Sequence, residues 1–478
     1  MRRAKIVCTL GPATDSVDVL SALIEAGMDV ARLNMSHGTH DEHGGQLARL
    51  RQAVDATHHP VTVIADLQGP KIRLGTFASG QVELTAGQRF TITTDDVPGD
   101  STRASTTLDT LTKDVKAGDT VLIDDGRLEL TAVSVSDTDV VCDVVVGGPV
   151  SDHKGINLPG VAVSVPALSD KDADDLAWAL GQGIDMVALS FVRSGADIDP
   201  VHAVMDKVGA RVPVIAKIEK PQAVENLDEV VDAFDAVMVA RGDLGVEMPF
   251  EAVPLVQKHI ITAARTWAKP VIVATQMLES MISAPRPTRA EASDVANAVI
   301  DGADAVMLSG ETSVGQYPVQ AVAAMSAIVS AVESGGMDEI TAINWDPHTT
   351  SGVVAWGAAR MAKKLGAAYI VAFSYFGDTA RRLARLRPTT PIVCFTPLEA
   401  TRAHLGLVWG LRTFVSSEHE ISLMLEEVDE TMLSQGLVES GDRVVVVFGS
   451  PLGSPAHTNT VYVHEVGAAV PAPATKLA

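Results

Sequence analysis

Short apolar runs that end in polar residues recur from residue 5 to residue 311, with helix-like patterns between them. Val, Ile and Ala fill the starts of these runs, and charged or hydroxyl side chains fill their ends. This rhythm predicts alternating strands and helices, with the strands in a parallel sheet. The eight runs are KIVCTLG (5–11), DVARLNMSH (29–37), VTVIADLQG (61–69), DMVALSFVR (185–193), PVIAKIEK (213–220), AVMVARGD (236–243), PVIVATQM (270–277) and DAVMLSGE (304–311).

Eight βα units are the number that closes a TIM (β/α)8 barrel, so we predict that fold for this part of the chain. Catalytic groups of such barrels lie at the C-terminal ends of the strands, and the polar residues of this chain gather at those ends. They are Arg32, Asn34, Ser36, Asp66, Ser190, Lys217, Glu219, Asp243 and Thr275.

The segment between the third and fourth runs, residues 70–184, is far longer than an ordinary βα loop. Much of it alternates apolar and polar residues, which predicts a small inserted antiparallel β-barrel domain over residues 67–162. A Gly-Pro turn lies at the first stem of this insert and a Leu-Pro-Gly turn at the second, so we expect the insert to move as a hinged lid. The barrel domain then comprises residues 1–66 and 163–338.

Five further strand-like runs predict a C-terminal open α/β domain over residues 339–478. GSPLGSPAHTN (449–459) lacks the Gly-Lys-Ser/Thr of a P-loop and indicates no more than a turn with exposed N–H groups. The Ala- and Pro-rich end (466–478) is typical of a loose tail. The runs are AAYIVAFS (367–374), TPIVCFTP (390–397), GLRTFVSS (410–417), DRVVVVFGS (442–450) and NTVYVHEV (459–466).

Composition narrows the classes of function. A net charge of −23 argues against nucleic-acid or anionic-membrane partners, so any anionic ligand needs a local cluster of cations. Cys8, Cys142 and Cys394 lie far apart in apolar segments, which favours reduced, buried thiols over a disulfide or zinc site. The chain shows no signal-peptide pattern and no apolar run near the ~18 residues of a membrane span. We therefore expect a cytoplasmic protein.

Two neighbouring strand ends carry the residue types of a divalent-cation site. Lys217 and Glu219 are two residues apart on one strand and point to the same side, and Asp243 ends the next strand. Paired carboxylates with open positions for substrate oxygens suit Mg²⁺. A structural salt bridge of Lys217 with either carboxylate is the alternative. Gly242 favours the ligand site, because a glycine lets backbone N–H groups approach an anion.

Arg32, Asn34 and Ser36 also alternate at period two. Arg32 suits bidentate binding of a phosphate, although a hydrogen-bonded strand end would use the same residues. The following run, SHGTHDEH (36–43), contains three histidines, but steps of three do not keep three ligands on one helix face. We interpret that run as a solvated loop and helix start.

Nine short motifs occur in the order expected for pyruvate kinases, and the chain resembles that family, in its bacterial form, over nearly its whole length. The resemblance implies transfer of a phosphoryl group from phosphoenolpyruvate to ADP, giving pyruvate and ATP, with Mg²⁺ as cofactor and Mn²⁺ as a substitute. It also implies a homotetramer. The motifs are TLGPAT, RLNMSHG, GPKIR, KGINLPG, KIEK, ARGDLGVE, ATQMLESM, PTRAEASDVANAV and GETSVGQYP.

The resemblance also implies roles for individual residues. Lys217 would act at the transferring phosphoryl group, Arg32 would clamp that group, and Thr275 would lie near the carbon that takes a proton. Substrate would be bound by Arg32, Lys217, Gly242, Asp243 and Thr275, the nucleotide by Asn34, His37, Arg73 and Lys154, and the divalent ion by Glu219 and Asp243.

The chain departs from many family members at one lid stem. Those members read Thr-Lys-Gly-Pro-Glu where this chain reads LQGPK (67–71). They would bind potassium in a pocket lined by Asn34, Ser36, Asp66 and the backbone oxygen of residue 67, here Leu67. The Lys71 ammonium would replace that ion, so we predict a member of a potassium-independent subgroup. A solvated Lys71, with potassium still bound, is the alternative.

A second departure concerns regulation. Family members that bind a sugar bisphosphate tend to have a Thr-x-Ser-Gly-x-Thr-Ala loop where this chain has SYFGDTA (374–380). The ring of Phe376 and the carboxylate of Asp378 both disfavour a phosphate. We expect little activation by fructose 1,6-bisphosphate, while another phosphorylated effector stays open.

Two other function classes stay open at this point. A magnesium-dependent, pyruvate-releasing aldolase or lyase on the same barrel would need neither a lid nor the cations Arg73 and Lys154. A non-catalytic sensor of phosphorylated metabolites would have no need of an intact Lys217, Glu219 and Asp243.

Overall fold

The computed structural model describes residues 2–161, 163–416, 421–450 and 458–468. Its strands fall into three groups along the chain. In chain order they are β1 (Lys5–Thr9), β2 (Val30–Asn34), β3 (Thr62–Asp66), β4 (Gln81–Leu84), β5 (Arg89–Thr93), β6 (Arg103–Ser105), β7 (Thr120–Ile123), β8 (Leu128–Val135), β9 (Asp139–Val146), β10 (Gly148–Ser151), β11 (Ile156–Asn157), β12 (Met186–Leu189), β13 (Val214–Ile218), β14 (Ala236–Ala240), β15 (Val271–Ala274), β16 (Ala305–Leu308), β17 (Tyr369–Phe373), β18 (Ile392–Thr396), β19 (Leu411–Val415), β20 (Arg443–Phe448) and β21 (Thr460–Glu465).

Helices separate most of the parallel strands. The histidine-containing run forms a loop and the start of α2, as expected, and Thr39 and Glu42 make a reciprocal capping box there. The prediction that this run is solvated is wrong for His43, which is buried, and His40 stacks on Trp178. The helices are α1 (Val17–Ala26), α2 (His40–Thr57), α3 (Leu111–Asp114), α4 (Asp170–Gly181), α5 (Asp199–Val208), α6 (Pro221–Glu225), α7 (Leu227–Ala233), α8 (Arg241–Glu247), α9 (Val253–Thr266), α10 (Arg289–Asp301), α11 (Gly310–Ser313), α12 (Pro318–Gly335), α13 (Thr350–Leu365), α14 (Asp378–Ala384), α15 (Glu399–Leu405) and α16 (Ile421–Ser434).

Eight parallel strands close into a barrel in the order β1-β16-β15-β14-β13-β12-β3-β2. Each of the eight predicted runs contains one of these strands, so the predicted TIM barrel is confirmed. Buried apolar side chains from the strands, among them Val7, Ile64, Ile215 and Ile272, form a cluster distinct from the larger core between strands and helices. A packed interior of this kind leaves the strand ends as the place for chemistry.

The inserted segment has its own strands and its own apolar core. β11, β7, β8, β9, β5 and β6 form a six-stranded sheet in that order, and β10 pairs with β4 in a two-stranded sheet. All these pairs are antiparallel except β5 with β6, which run parallel. Phe90, Val121 and Leu130 are fully buried in a cluster that is separate from the barrel core. The domain bounds and a closed lid barrel stay predictions, because the described strands form two sheets.

The C-terminal region forms a five-stranded sheet in the order β19-β18-β17-β20-β21. Each predicted run contains one of its strands, and only β21 is antiparallel to its neighbour. Most of the predicted turn at 449–459 and of the predicted tail lies outside the described residues, which omit 451–457 and 469–478. Among the helices that the structure describes, none combines the length and apolarity needed to cross a bilayer.

The three cysteines are buried and unpaired, as predicted. Burial raises the pKa of the Cys142 and Cys394 thiols to about 12, and it raises that of Cys8 further. These thiols are therefore protonated and unreactive at neutral pH.

Candidate active site

The C-terminal ends of the barrel strands and the first stem of the insert surround a cavity of about 230 Å³. Polar and charged side chains dominate its lining, and most of the predicted site residues are among them. The lining residues are Arg32, Asn34, Ser36, His37, Gln68, Lys71, Arg73, Ser190, Phe191, Lys217, Glu219 and Asp243. The prediction that strand-end residues share one site is thus supported by their positions.

Lys217, near the end of β13, lines this cavity. Its Nζ lies 2.8 Å from Glu219 Oε1 and 3.2 Å from Asp66 Oδ1, and it donates a hydrogen bond of 2.7 Å to Ser190 Oγ. Burial alone would lower the pKa of Lys217, but the surrounding carboxylates outweigh burial and hold that pKa above its usual range. Lys217 is therefore a permanent cation at the cavity wall.

Arg32 and Asp66 form a second buried pair beside Lys217. Arg32 Nε donates to Asp66 Oδ2 at 2.6 Å, and Arg32 Nη1 donates to Thr9 Oγ1 at 3.0 Å. Burial would raise the pKa of Asp66, but Arg32 and Lys217 outweigh burial and keep the pKa below its usual value. Asp66 Oδ1 is buried without a hydrogen-bond donor among the described residues, so its negative charge faces Lys217 alone.

Glu219 and Asp243 line the same cavity from adjacent strand ends. Glu219 Oε2 accepts a hydrogen bond of 2.7 Å from the Phe191 N–H. Burial raises the pKa of Glu219 to about 7, with Asp243 adding to this effect and Lys217 opposing it. Two carboxylates that repel each other in this way fit a divalent cation. The described residues contain no cluster of three or more His, Cys, Asp or Glu that could hold a metal, so oxygens of substrate or water would complete the coordination.

Gly242 and Thr275 contact each other rather than the cavity. The Gly242 N–H donates to Thr275 Oγ1 at 2.8 Å, and a Cβ on Gly242 would lie only 3.0 Å from that oxygen. Thr275 has a φ of 66°, a strained value for a β-branched residue. Arg241 fixes this turn by donating to the Thr275 carbonyl at 2.8 Å while pairing with Asp294 at 2.7 Å.

Three of the four residues that were predicted to bind the nucleotide line the cavity, and one does not. Asn34, His37 and Arg73 line the cavity, whereas Lys154 does not and pairs instead with Asp124 Oδ1 at 2.7 Å. Burial, together with the nearby cations Arg73, Lys71 and Arg32, lowers the pKa of His37. The cavity thus concentrates positive charge in an acidic chain, as an anionic ligand requires.

Lys71 lines the cavity together with Asn34 and Ser36, but it makes no ion pair with Asp66 or any other described residue. Asn34 Oδ1 accepts from the Ser36 N–H at 3.3 Å, and the Leu67 carbonyl accepts from Ser190 Oγ at 2.7 Å. The structure therefore places Lys71 near the predicted monovalent-cation pocket without placing its ammonium on Asp66. Its replacement of potassium stays a prediction.

Ser190 and Phe191 line the cavity, and the sequence prediction gave neither of them a specific role. Ser190 links Lys217 to the Leu67 carbonyl, and its position at a strand end was the available signal. Phe191 holds Glu219 through its backbone N–H and has a φ of 56°. A backbone donor leaves no trace in a pattern of side chains.

Comparison with known proteins shows the family of the chain. The model of the family "Pyruvate kinase, barrel domain" matches residues 1–322, and that of "Pyruvate kinase, alpha/beta domain" matches residues 353–464. A pyruvate kinase of Mycobacterium tuberculosis is 55% identical over 98% of this chain and 99% of its own length. A pyruvate kinase of Corynebacterium glutamicum is 55% identical over 98% of both chains.

A crystal structure of a pyruvate kinase from Cryptosporidium parvum superposes with a TM-score of 0.91 at 36% identity, covering 97% of this chain and 96% of that one. Family models, relatives and fold agree along nearly the whole sequence. The chain therefore belongs to the pyruvate kinase family.

Proposed function

We propose that the cavity at the barrel mouth is where this pyruvate kinase transfers the phosphoryl group of phosphoenolpyruvate to ADP. The observation that carries this proposal is Lys217, a permanent cation held between Glu219 and Asp66 at the wall of a polar cavity. Phosphoryl transfer passes through a loose transition state with negative charge spread over the phosphoryl oxygens. A fixed cation stabilises that charge without reorganisation during the reaction.

Arg32 and the 242–275 turn would orient phosphoenolpyruvate. Arg32 Nε and Nη1 are engaged by Asp66 and Thr9, while Nη2 has no partner among the described residues and is free to bind a phosphoryl oxygen. The Gly242 N–H and the Thr275 hydroxyl would exchange their mutual hydrogen bond for the substrate carboxylate. Thr275 would also place a water near the enolate carbon that takes the proton.

Glu219 and Asp243 fit a divalent cation, and we infer that Mg²⁺ is the natural ion, with Mn²⁺ as a substitute. When bound, the ion neutralises negative charge on the phosphoryl and enolate oxygens. The Phe191 N–H orients Glu219 for the ion by donating a hydrogen bond of 2.7 Å to its carboxylate. Lys217, 2.8 Å from Glu219, keeps the substrate's reacting oxygens beside the same carboxylates.

Removing either proposed metal ligand should weaken activation by magnesium. Partners of metal ligands already contribute 10–100-fold, so Glu219→Gln or Asp243→Asn should raise the magnesium concentration for half-maximal rate by at least about tenfold. The test is a magnesium titration at saturating substrates, with Glu225→Gln, an exposed carboxylate outside the cavity, as control. Unchanged midpoints in both variants would show that the pair is structural.

Competition between protons and magnesium for Glu219 should appear in the same titration. Burial raises the pKa of Glu219 to about 7, so the metal-free site takes up a proton as the pH falls through that value. The magnesium concentration for half-maximal rate of the unmodified enzyme should then rise by about tenfold per pH unit below 7 and level off above it. Glu219→Gln should lose this dependence. An equal pH dependence in that variant would assign the proton to another group.

Closure of the insert, proposed as a lid over residues 67–162, would complete the nucleotide site. Asn34, His37 and Arg73 already line the cavity. Lys154 pairs with Asp124 within the insert, so it would reach the nucleotide phosphates only when the lid moves. A closed lid would exclude water, so that transfer to ADP outruns hydrolysis.

Lys71 would supply the charge that potassium supplies in other members. The buried Asp66 supports this proposal, because its Oδ1 has only the Lys217 ammonium at 3.2 Å as a partner among the described residues, and a second cation would stabilise it further. Lys71 is on the first lid stem, so closure of the lid could bring its ammonium nearer to that oxygen.

The C-terminal loop predicts weak regulation by a sugar bisphosphate. Phe376 is 57% exposed and stacks edge-on against Tyr375, while Asp378 pairs with Arg382 at 2.6 Å. Fructose 1,6-bisphosphate should therefore give less than about twofold activation at limiting phosphoenolpyruvate, since a carboxylate repels its phosphates. Rate measurements at limiting phosphoenolpyruvate test the activation, and isothermal titration calorimetry tests the binding of the bisphosphate. Tight binding that is lost on mutating residues 374–380 would contradict it.

A coupled assay separates this function from its rivals. With phosphoenolpyruvate, ADP and Mg²⁺, pyruvate and ATP should form in equal amounts, and omission of ADP should stop pyruvate release. Pyruvate release without ADP would mean hydrolysis of the phosphate ester by water instead of transfer to a nucleotide. No turnover of phosphoenolpyruvate would favour a lyase acting on another substrate, or a sensor. A cytoplasmic location and a homotetramer stay predictions from the family.

A further inference from the structure

Glu247 joins the second stem of the insert to the barrel. It is the last residue of α8 and is only 4% exposed. Its Oε1 accepts hydrogen bonds from Asn157 Nδ2 at 2.8 Å and from Lys220 Nζ at 2.7 Å. Asn157 belongs to β11, so this buried carboxylate ties the insert to the helix whose first turn carries Asp243.

A short chain of contacts leads from Glu247 to the proposed metal ligand Glu219. Lys220 follows Glu219 in sequence, and its Nζ lies 5.4 Å from the centre of the Phe191 ring. The Phe191 N–H in turn holds Glu219 Oε2 at 2.7 Å. A shift of Lys220 would therefore act on Glu219 both through the backbone and through Phe191.

The first stem meets the barrel at the same aromatic residue. Gly69 has a φ of 73°, and a Cβ there would lie 2.6 Å from Phe191 Cδ2 and 2.7 Å from Ser190 Cβ. Only a glycine allows so close a contact. The Gly69 N–H also donates to Asp172 Oδ1 at 3.1 Å. The first stem therefore contacts the loop that orients Glu219 directly, and the second stem is connected to that loop through Glu247 and Lys220.

We propose that Glu247 is a positioning residue that couples the pose of the insert to the orientation of Glu219. The inference rests on the proposed roles of Glu219 and of the lid. A buried carboxylate keeps one geometry only while its donors are in place, because an unsatisfied buried charge is costly. Loss of the Asn157 contact frees the stem and leaves Glu247 with Lys220 alone.

Asn157→Asp tests the coupling with little change in side-chain volume. It sets a second carboxylate against Glu247, so the stem should detach. The KM for ADP and the magnesium concentration for half-maximal rate should each rise by about tenfold, because small misplacements of reacting groups have effects of that size or more. The kcat at saturating substrates and magnesium should change less than these two quantities.

Two further variants separate coupling from general damage. Asn157→Asp combined with Glu247→Gln exchanges carboxylate and amide, so it restores a hydrogen bond and should recover most of the loss. Asp139→Asn breaks a 2.8 Å ion pair with Arg103 inside the insert and should leave both constants unchanged. If Asn157→Asp fails to fold by circular dichroism, Asn157→Ala, which only removes the donor, takes its place with the same expected direction.

A distance measurement gives a readout that does not depend on catalysis. Spin labels on Val145→Cys in the insert and Val208→Cys on the barrel use exposed positions, and the native thiols are buried. Double electron–electron resonance should show a broader distribution of distances between the two labels with Asn157→Asp than without it. An unchanged distribution with unchanged constants would overturn the inference. An inactive parent enzyme would instead contradict the proposed site, while the distances would still decide the coupling.

Discussion

Lys217→Met is expected to lower turnover by a factor of about a thousand or more, in line with the loss of other preorganised partners of transition-state charge. Lys217 Nζ lies within 3.2 Å of Glu219, Asp66 and Ser190 and supplies a largely buried ammonium to the cavity wall. Methionine keeps the length of the side chain and removes the charge. Substrate binding should suffer less than turnover, because negative charge spreads over the phosphoryl group most fully in the transition state.

This prediction is best measured by rapid-quench single turnovers at pH 8. Removal of Lys217 takes away the cation that opposes protonation of Glu219, so the alkaline pH is combined with saturating magnesium, and both favour the charged form of the metal ligand. Lys258→Met is the control, because it removes a lysine that pairs with Asp301 outside the cavity. Near-normal turnover of Lys217→Met, with the fold intact, would make Lys217 a scaffold residue.

Lys71→Glu is expected to reduce the rate by about a hundredfold in buffers whose only monovalent cation is a bulky organic one. Phosphoryl transfer brings together two anionic substrates, so reversing one nearby charge at reduced dielectric has a large effect. The unmodified enzyme should run at nearly full rate in the same buffer. Potassium should restore part of the rate of the variant, since the residues of LQGPK other than Lys71 would remain unlike those of potassium-binding members.

The control for this effect is Lys116→Glu, which reverses an exposed charge on the insert. Rates are compared in tetramethylammonium and potassium chloride at equal ionic strength. A rate of the unmodified enzyme that rises tenfold or more with potassium would show that Lys71 does not replace the ion. Potassium would then bind beside Asn34, Ser36 and Asp66, and Lys71 would be a solvated stem residue.

The barrel could be predicted because parallel strands that are buried on both faces appear as continuous apolar runs. β13 and β14 occupy the middle of two such runs, and their polar ends bring Lys217, Glu219 and Asp243 to one cavity. The spacing of Lys217 and Glu219 left a salt bridge and a ligand site open. The structure contains the salt bridge, and burial, with a smaller contribution from Asp243, still raises the pKa of Glu219 despite that bridge.

Other features had no signal in the sequence because they depend on backbone geometry or on contacts between distant segments. The Phe191 N–H that holds Glu219 is one example, and the parallel pairing of β5 with β6 is another. The resemblance to pyruvate kinases implies a nucleotide role for Lys154, yet this residue pairs with Asp124, thirty residues earlier in the chain. Local patterns do not show such competing partners.

The central claim is that Lys217, Glu219 and Asp243 form one phosphoryl-transfer centre. Anomalous X-ray diffraction from crystals soaked with Mn²⁺ and phosphoenolpyruvate tests it most directly. We expect a single manganese peak at the cavity, in coordination contact with both carboxylates, and the substrate phosphoryl group beside the Lys217 ammonium. A manganese peak away from Glu219 and Asp243, or phosphoenolpyruvate bound away from Lys217, would contradict the assignment.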